Sequence, residues 1–329
     1  MSATGVASGA AQPSAPIVAP GSQPAGGAQA VSYGGRKARL AIRAVGLGYL
    51  ALLLALPVAL IFYRTFEGGI TPVLTAIKAP AFQHAFWLTV TLTAIAVPIN
   101  TVFGVVTALA LVRKRFPGRG LLNAVIDLPF ALSPVVIGLS LLLVYGQGGW
   151  FGPALKSIGF QVIFAIPGMA LATIFVSLPF VVREVVPVLR EIGTDQEEAA
   201  FTLGASPLRT FWRVTLPAIR WGVIYGVVLT TARSLGEFGA VSIVSGRLSG
   251  KTETLTLYVE QRYSEFDLAG AYTASVVLAL LALAVLLAMN VLQSGRGSRA
   301  RDWLSDLVRF RSRRATPSGG APTSPAGQG

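Results

Sequence analysis

The sequence predicts an all-α, polytopic membrane protein of six transmembrane helices. Three observations carry this. The chain is 53% hydrophobic and 12% charged, with a mean hydropathy of +0.65, against roughly 25% charged residues in a soluble domain. Six long apolar stretches are separated by polar loops. Twenty of the 27 Lys and Arg residues fall in alternate loops, which orients a membrane protein.

Residues 1–35 are Ala, Gly, Pro and Ser with almost no charge. They have no basic segment ahead of an apolar one, so they do not read as a signal peptide. Their lack of bulky apolar side chains predicts a disordered tail. The apolar stretches follow near 41–63, 87–112, 122–145, 163–182, 218–244 and 270–292. Each has about 20 residues or more, enough to cross a hydrocarbon core of about 30 Å. Backbone polar groups in lipid must be satisfied within the segment, so these are helices, not open strands. The fourth is the shortest, with Pro167 and Pro179 near its ends. The domain expected to fold is thus 36–295, and 296–329 is a basic, largely disordered tail.

Arg36, Lys37, Arg39 and Arg43 precede the first stretch, and Arg113, Lys114, Arg115 and Arg119 separate the second from the third. Arg183, Arg190, Arg209, Arg213 and Arg220 lie around the long connection from the fourth to the fifth. Seven arginines, from Arg296 to Arg314, follow the sixth. The other three loops hold only Arg64, Lys78, Lys156, Arg247, Lys251 and Arg262. The expectation is both termini in the cytoplasm and the first, third and fifth loops outside. This alternation explains the net charge of +13 without a nucleic-acid partner.

The connection at 187–217 is long for a helix–helix link. Thr194 or Asp195 suits a helix start, Glu197 and Glu198 suit its positive end, and Gly204 after Leu203 is a natural stop. Ser206-Pro207 can open a second short helix. A helix–turn–helix on the cytoplasmic face results. Its residues Glu198-Ala199-Ala200, Gly204, Val214, Leu216 and Pro217 stand at the spacing of the cytoplasmic loop that marks permease subunits of ABC importers, with Val214 in place of the usual isoleucine. The chain therefore resembles that family, of the MetI-like permease fold. The resemblance implies that this loop is a coupling helix docking on a separate ATPase subunit, with the Ala pair permitting close approach.

Residues 40–292 also resemble the sulfate and molybdate permeases, through Ala232–Ala240, and Asp127-Leu128-Pro129-Phe130-Ala131 through Pro134-Val135-Val136 fits the sulfate type. Val241-Ser242-Ile243-Val244-Ser245-Gly246, Val259-Glu260 and Tyr263-Ser264-Glu265 are similar to the CysW type, which serves sulfate and thiosulfate; a molybdate or tungstate permease is the alternative. The resemblance implies a multi-pass subunit of the bacterial cytoplasmic (inner) membrane. Its implied partners are two ATPase subunits, a homologous T-type permease subunit and an extracytoplasmic sulfate-binding protein. ATP and Mg would be bound by the ATPase, and no cofactor by this chain. An ion-coupled secondary transporter, the rival of another class, would show inverted repeats and several intramembrane acids.

Arg233 and Glu237 are the strong charges set deep in a membrane stretch, four residues apart. Such residues face a pathway or pair with one another, so they are candidates for the translocation route or its gate, or for a structural ion pair. Gly222 and Gly226 allow close helix packing. Gly246–Thr252 looks like a phosphate-binding loop but has three residues, not four, between its glycines. There is no Cys and one His, His84, and no catalytic motif is present. The chain reads as non-catalytic.

Overall fold

The computed structural model describes the backbone of residues 36–313 and the side chains of 40–291. The expected tail at 1–35 and the end of the expected tail at 314–329 lie outside the described residues. The chain divides into two compact units, Met1–Pro57 and Val58–Gly329. The first contains α1 (Arg36–Leu50) and a π turn (Ala51–Ala55).

The second unit begins at Val58, within the next helix, and holds the remaining elements. They are α2 (Leu56–Phe66), α3 (Ile70–Lys78), α4 (Pro80–Arg113), α5 (Arg119–Ala131), α6 (Pro134–Tyr145), α7 (Gly152–Ser157) and α8 (Ile166–Ile192), then α9 (Asp195–Thr202), α10 (Pro207–Thr210), α11 (Leu216–Leu235), α12 (Gly239–Val244), α13 (Leu255–Ser264) and α14 (Leu268–Arg313). Among the described residues, five helical runs are long and apolar enough to cross a membrane, or six if α5 and α6 form one broken span.

That break is the main departure from six straight spans. α5 and α6 meet at 113°. Leu132 and Ser133 are extended, at ψ 141 and 137, as expected where a proline ring, here that of Pro134, clashes with the preceding residue in α conformation. Other boundaries shift too. α4 begins at Pro80, ahead of the expected 87, and its 34 residues measure about 51 Å, well beyond the membrane core. α8 continues through Pro179 and Pro187 to Ile192, so the connecting loop starts at Gly193 instead of 187. Buried Val185, Val186 and Leu189 hold that stretch against its neighbours despite the lost N–H. α11 ends at Leu235, and 239–244 is a separate helix. α14 runs to Arg313, past residue 296 where the sequence sets the start of a tail; no Pro or Gly interrupts it after Gly297.

α8 is the axis of the second unit. Toward its C-terminal end, Val181, Val182, Val185, Val186 and Leu189 pack with Val105, Ala108 and Leu111 of α4, Ile126 of α5 and Ile219 of α11. Toward its N-terminal end, Met169, Ala172 and Val176 meet Leu88 and Leu92 of α4, Ile137 of α6 and Val241 of α12. A third cluster joins Phe82 and Ala85 of α4 to Leu255 and Tyr258 of α13 and Ala274 of α14. Lipid gives helices no hydrophobic reason to associate, so small residues and close contact matter more. The Gly222/Gly226 pair is used in this way: a Cβ on Gly226 would stand 2.7 Å from the Val181 Cα. The pair packs α11 onto α8 inside the bundle.

Candidate functional site: the connecting loop and the broken fifth span

The connection after α8 forms the expected helix–turn–helix. Thr194 precedes α9, whose first turn carries Asp195, Glu197 and Glu198, where carboxylates meet the positive end of the helix dipole. The Thr194 hydroxyl donates to Glu198 Oε1 at 2.7 Å. Gly204, at φ 83, ends the helix: its N–H donates to the Phe201 carbonyl at 2.9 Å and the Ala205 N–H to the Ala200 carbonyl at 3.0 Å. These two bonds define a Schellman stop, which needs a left-handed residue at that position. Ser206 then caps α10, its hydroxyl accepting from the Arg209 N–H at 3.4 Å.

The short second helix is not separate. It continues through a π turn at Phe211–Thr215 directly into α11. Thr210 and Thr215 are buried, and Phe211 and Leu216 pack against the cluster around Val185. The predicted coupling residues therefore divide into two groups. Glu198, Ala199 and Gly204 are exposed and Ala200 is half-buried, whereas Val214 and Leu216 are half-buried against the bundle and Pro217 opens α11. Around the first group stand Phe201, Leu203 (88% exposed), Leu208 and Trp212, all exposed, an apolar patch of the kind that marks an interaction surface.

Sequence reasoning missed the residues that hold this loop in place. Glu197 points away from Glu198, toward Arg113 at the end of α4. Arg113 Nε lies 2.9 Å from Glu197 Oε2, and Nη2 donates to Glu197 Oε1 at 3.2 Å. The same guanidinium donates to the carbonyls of Leu189 at 3.1 Å and Gly193 at 2.6 Å. The Thr215 hydroxyl donates to Glu197 Oε1 at 2.9 Å. Arg113 and Glu197 are 14% and 15% exposed, so solvent screens the pair weakly, and a hydrogen bond to a charged group contributes about 1.5–3 kcal/mol. Adjacent Glu197 and Glu198 were the available signal. On a helix their side chains diverge, and one of them had to face the bundle.

Arg233 and Glu237 are together as expected, at 2.7 Å, but not on one continuous helix, since α11 ends between them. Glu237 is almost wholly buried, with 2% of its side chain exposed, whereas Arg233 retains 30%. Glu237 Oε1 accepts from the Ala240 N–H at 2.9 Å, and its carbonyl accepts from the Thr256 hydroxyl at 2.7 Å. Glu237 thus joins α11 and α12 through its carboxylate and α13 through its backbone carbonyl. The neighbouring Ser234 hydroxyl reaches Ser177 at 3.4 Å, and Ser177 accepts from Asn100 Nδ2 at 2.8 Å, which sets a polar seam across α4, α8 and α11. Arg233 and Glu237 are not the only charges within apolar spans. Asp127 of α5 pairs with Arg183 of α8, whose Nε donates to Asp127 Oδ1 at 2.8 Å; the longer α8 brings Arg183 into a span.

At the opposite end of the bundle, the glycine-rich 246–252 stretch is a turn, and Arg247 pairs with Glu260 at 3.1 Å. His84 Nε2 sits 3.0 Å from the Lys251 carbonyl. Among the described residues no group of three or more His, Cys, Asp or Glu could hold a metal ion.

The chain is thus an all-helical membrane bundle with a capped helix–turn–helix after α8 and a break between α11 and α12. The chain belongs to the family of inner membrane components of binding-protein-dependent transport systems, whose model matches residues 100–299. Within it, the chain is 52% identical to the sulfate transport system permease protein CysW of Synechocystis, over 79% of this chain and 95% of that protein. It is 48% identical to the Escherichia coli K12 protein of the same name, over 76% and 86%, and 48% identical to the chloroplastic sulfate permease 2 of Chlamydomonas reinhardtii, over 78% and 70%. It is thus a CysW-type ABC permease. The fold is that of a bacterial ABC transporter importing alginate, with a TM-score of 0.66 at 18% identity over 77% of this chain and 94% of that one.

Proposed function

We propose that this chain is a membrane-spanning subunit of an ATP-driven importer that carries sulfate, and with it thiosulfate, across the bacterial cytoplasmic membrane. The observation that carries this reading is the capped α9 loop, with its exposed apolar patch, in a chain about half identical to sulfate permeases. The loop faces the cytoplasm, as do both termini, in keeping with the arginine-rich loops on that side. Two ATPase subunits supply ATP hydrolysis, one of them receives α9, and this chain makes no covalent change. A homologous T-type permease subunit completes the core, and an extracytoplasmic sulfate-binding protein delivers the anion.

In this reading Glu198, Ala199, Ala200 and Gly204 form the docking helix, and Val214, Leu216 and Pro217 carry its motion into α11. ATP binding stabilises one of two arrangements of the bundle, and the pathway follows that change in population. Arg233 keeps its exposed part for the passing dianion, while Glu237 holds it at the break in the span. Arg233→Ala lowers uptake, and Arg233→Gln with Glu237→Gln separates charge from assembly, because neither residue is then left as an unpaired buried ion.

The test is uptake of labelled sulfate by proteoliposomes containing the whole assembly. Uptake requires ATP inside, survives an uncoupler, and is competed by excess thiosulfate more effectively than by molybdate. Uptake abolished by the uncoupler with ATP present would return the secondary transporter; preferential competition by molybdate or tungstate would change the cargo and leave the ATP-driven permease standing.

A further inference from the structure

We propose that Arg113, Glu197 and Thr215 form a joint that converts movement of the docking helix α9 into movement of the membrane helices; this rests on the coupling role just proposed. α9 has eight residues and none of them is buried. No apolar packing of its own ties it down, and a helix of that length is marginal alone. Its covalent connections each run through a single glycine. On one side is Gly193, at φ 64 and ψ −160, and on the other Gly204, at φ 83. Both occupy backbone regions where glycine loses the least. Through these two links alone α9 is tied only to its own neighbours in sequence, the end of α8 and the start of α10.

The polar joint bypasses both glycines. Arg113 is the last residue of α4, and its guanidinium bonds the carbonyls of Leu189 and Gly193 at the end of α8 as well as the Glu197 carboxylate of α9. A cation there also suits the negative end of the α8 dipole. Thr215 adds a bond from the residue before α11 to the same carboxylate. One carboxylate therefore joins α9 to α4, α8 and α11, the helices that meet around Val105, Val185 and Ile219. The planar fork of an arginine serves several acceptors at once, which a lysine does not. These are positioning residues. They touch neither nucleotide nor anion, and they determine how far α9 drags the bundle.

The readout is the amount of anion imported per ATP hydrolysed by the complete assembly in proteoliposomes. Glu197→Gln and Arg113→Lys assemble with the ATPase and hydrolyse ATP, but import per ATP falls about fivefold or more, at the lower end of the couplings measured between linked sites. Thr215→Val removes one hydrogen bond without stranding a charge, so it keeps the assembly testable if the charged variants misfold, and it lowers the ratio in the same direction by less. Combined with Glu197→Gln, it adds less than its separate effect. Equal falls in import and hydrolysis, leaving the ratio at the wild-type value, would overturn the joint while the transport reading stood. Wild-type assembly without ATP-dependent import of any oxyanion would remove both. If the wild type carries molybdate, the same ratio is read with molybdate.

Discussion

Glu253 shows how much a single buried charge constrains this fold. It lies between α12 and α13, outside the membrane-spanning helices, and is wholly buried. Among the described residues neither carboxylate oxygen has a well-formed hydrogen bond; the Ser249 hydroxyl is the one donor near enough to act on it, and its geometry is poor. Burial pushes its carboxyl above the ordinary range; the Ser249 hydroxyl, Arg262 and His84 pull the other way, and Glu265 adds to the push. The folded chain therefore holds this proton more tightly than the unfolded chain. The stability it lends is complete below about pH 4.3, the ordinary glutamate value, and is lost as pH rises through the folded value. Glu253→Gln has the same shape and no charge to strand. Its thermal midpoint in detergent matches wild type near pH 4 and exceeds it at pH 7.5, where removing an unsatisfied buried group restores about 1–3 kcal/mol of stability. An equal shift at both pH values would mean the charge is not what matters. Nothing local in the sequence marks Glu253, because its burial depends on how the loop between α12 and α13 packs. Arg233 and Glu237 were legible, because four residues of spacing is local information. The partnership of Arg113 with Glu197 was not, since it depends on where two separate helices end.

At the scale of elements, α9 was readable because its signals are short-range: carboxylates in the first turn, glycine at the stop, and Ser-Pro at the next start. Gly204 tests this. A Cβ there would meet nothing within 4 Å, so space is not the constraint; the positive φ is. Left-handed geometry costs an ordinary residue about 1–2 kcal/mol, whereas asparagine is tolerated at such stops. Gly204→Val should therefore loosen the end of α9 and reduce copurification of the ATPase, and Gly204→Asn should keep most of it. Equal losses from Val and Asn would show that the docking surface, not the turn, needs glycine. The bend at Leu132–Ser133 was harder to read. Pro98, Pro129, Pro179 and Pro187 all lie inside continuous helices, whereas Pro134 starts a new one. Hydropathy reports apolar length and not direction, and which proline breaks a helix depends on what packs beside it. α6 can turn because Ile137 finds Val241 and Val244 of α12 within one cluster, a contact between segments a hundred residues apart.

For the whole second unit, the distribution of burial says which contacts must be kept. In the most apolar window of α8, 61% of residues are buried, against 11% for the 268–291 run. The outer helices present their side chains to lipid or to another subunit, where an apolar residue gains little from a neighbour of its own kind. Span count and loop charge were visible because lipid imposes them on every segment independently. The central place of α8 was not, because hydropathy ranks a lipid-facing helix above a buried one: the window mean is 1.8 for α8 and 2.6 for 268–291. The fold should accordingly fail at the α8–α11 seam before it fails at its rim. Overpacking a side-chain contact costs about 1–3 kcal/mol, but at Gly226 the obstacle is the Val181 Cα itself, which cannot rotate aside. Gly226→Leu should separate α11 from α8 and tilt the π turn that carries α10. Protease resistance of the purified permease and ATPase copurification should then fall together. Leu280→Ala, at a position 48% exposed in α14, trims a larger side chain and should leave both measurements close to wild type. If Leu280→Ala proved as damaging as Gly226→Leu, the outer helices would be bearing loads that packing within this chain does not reveal.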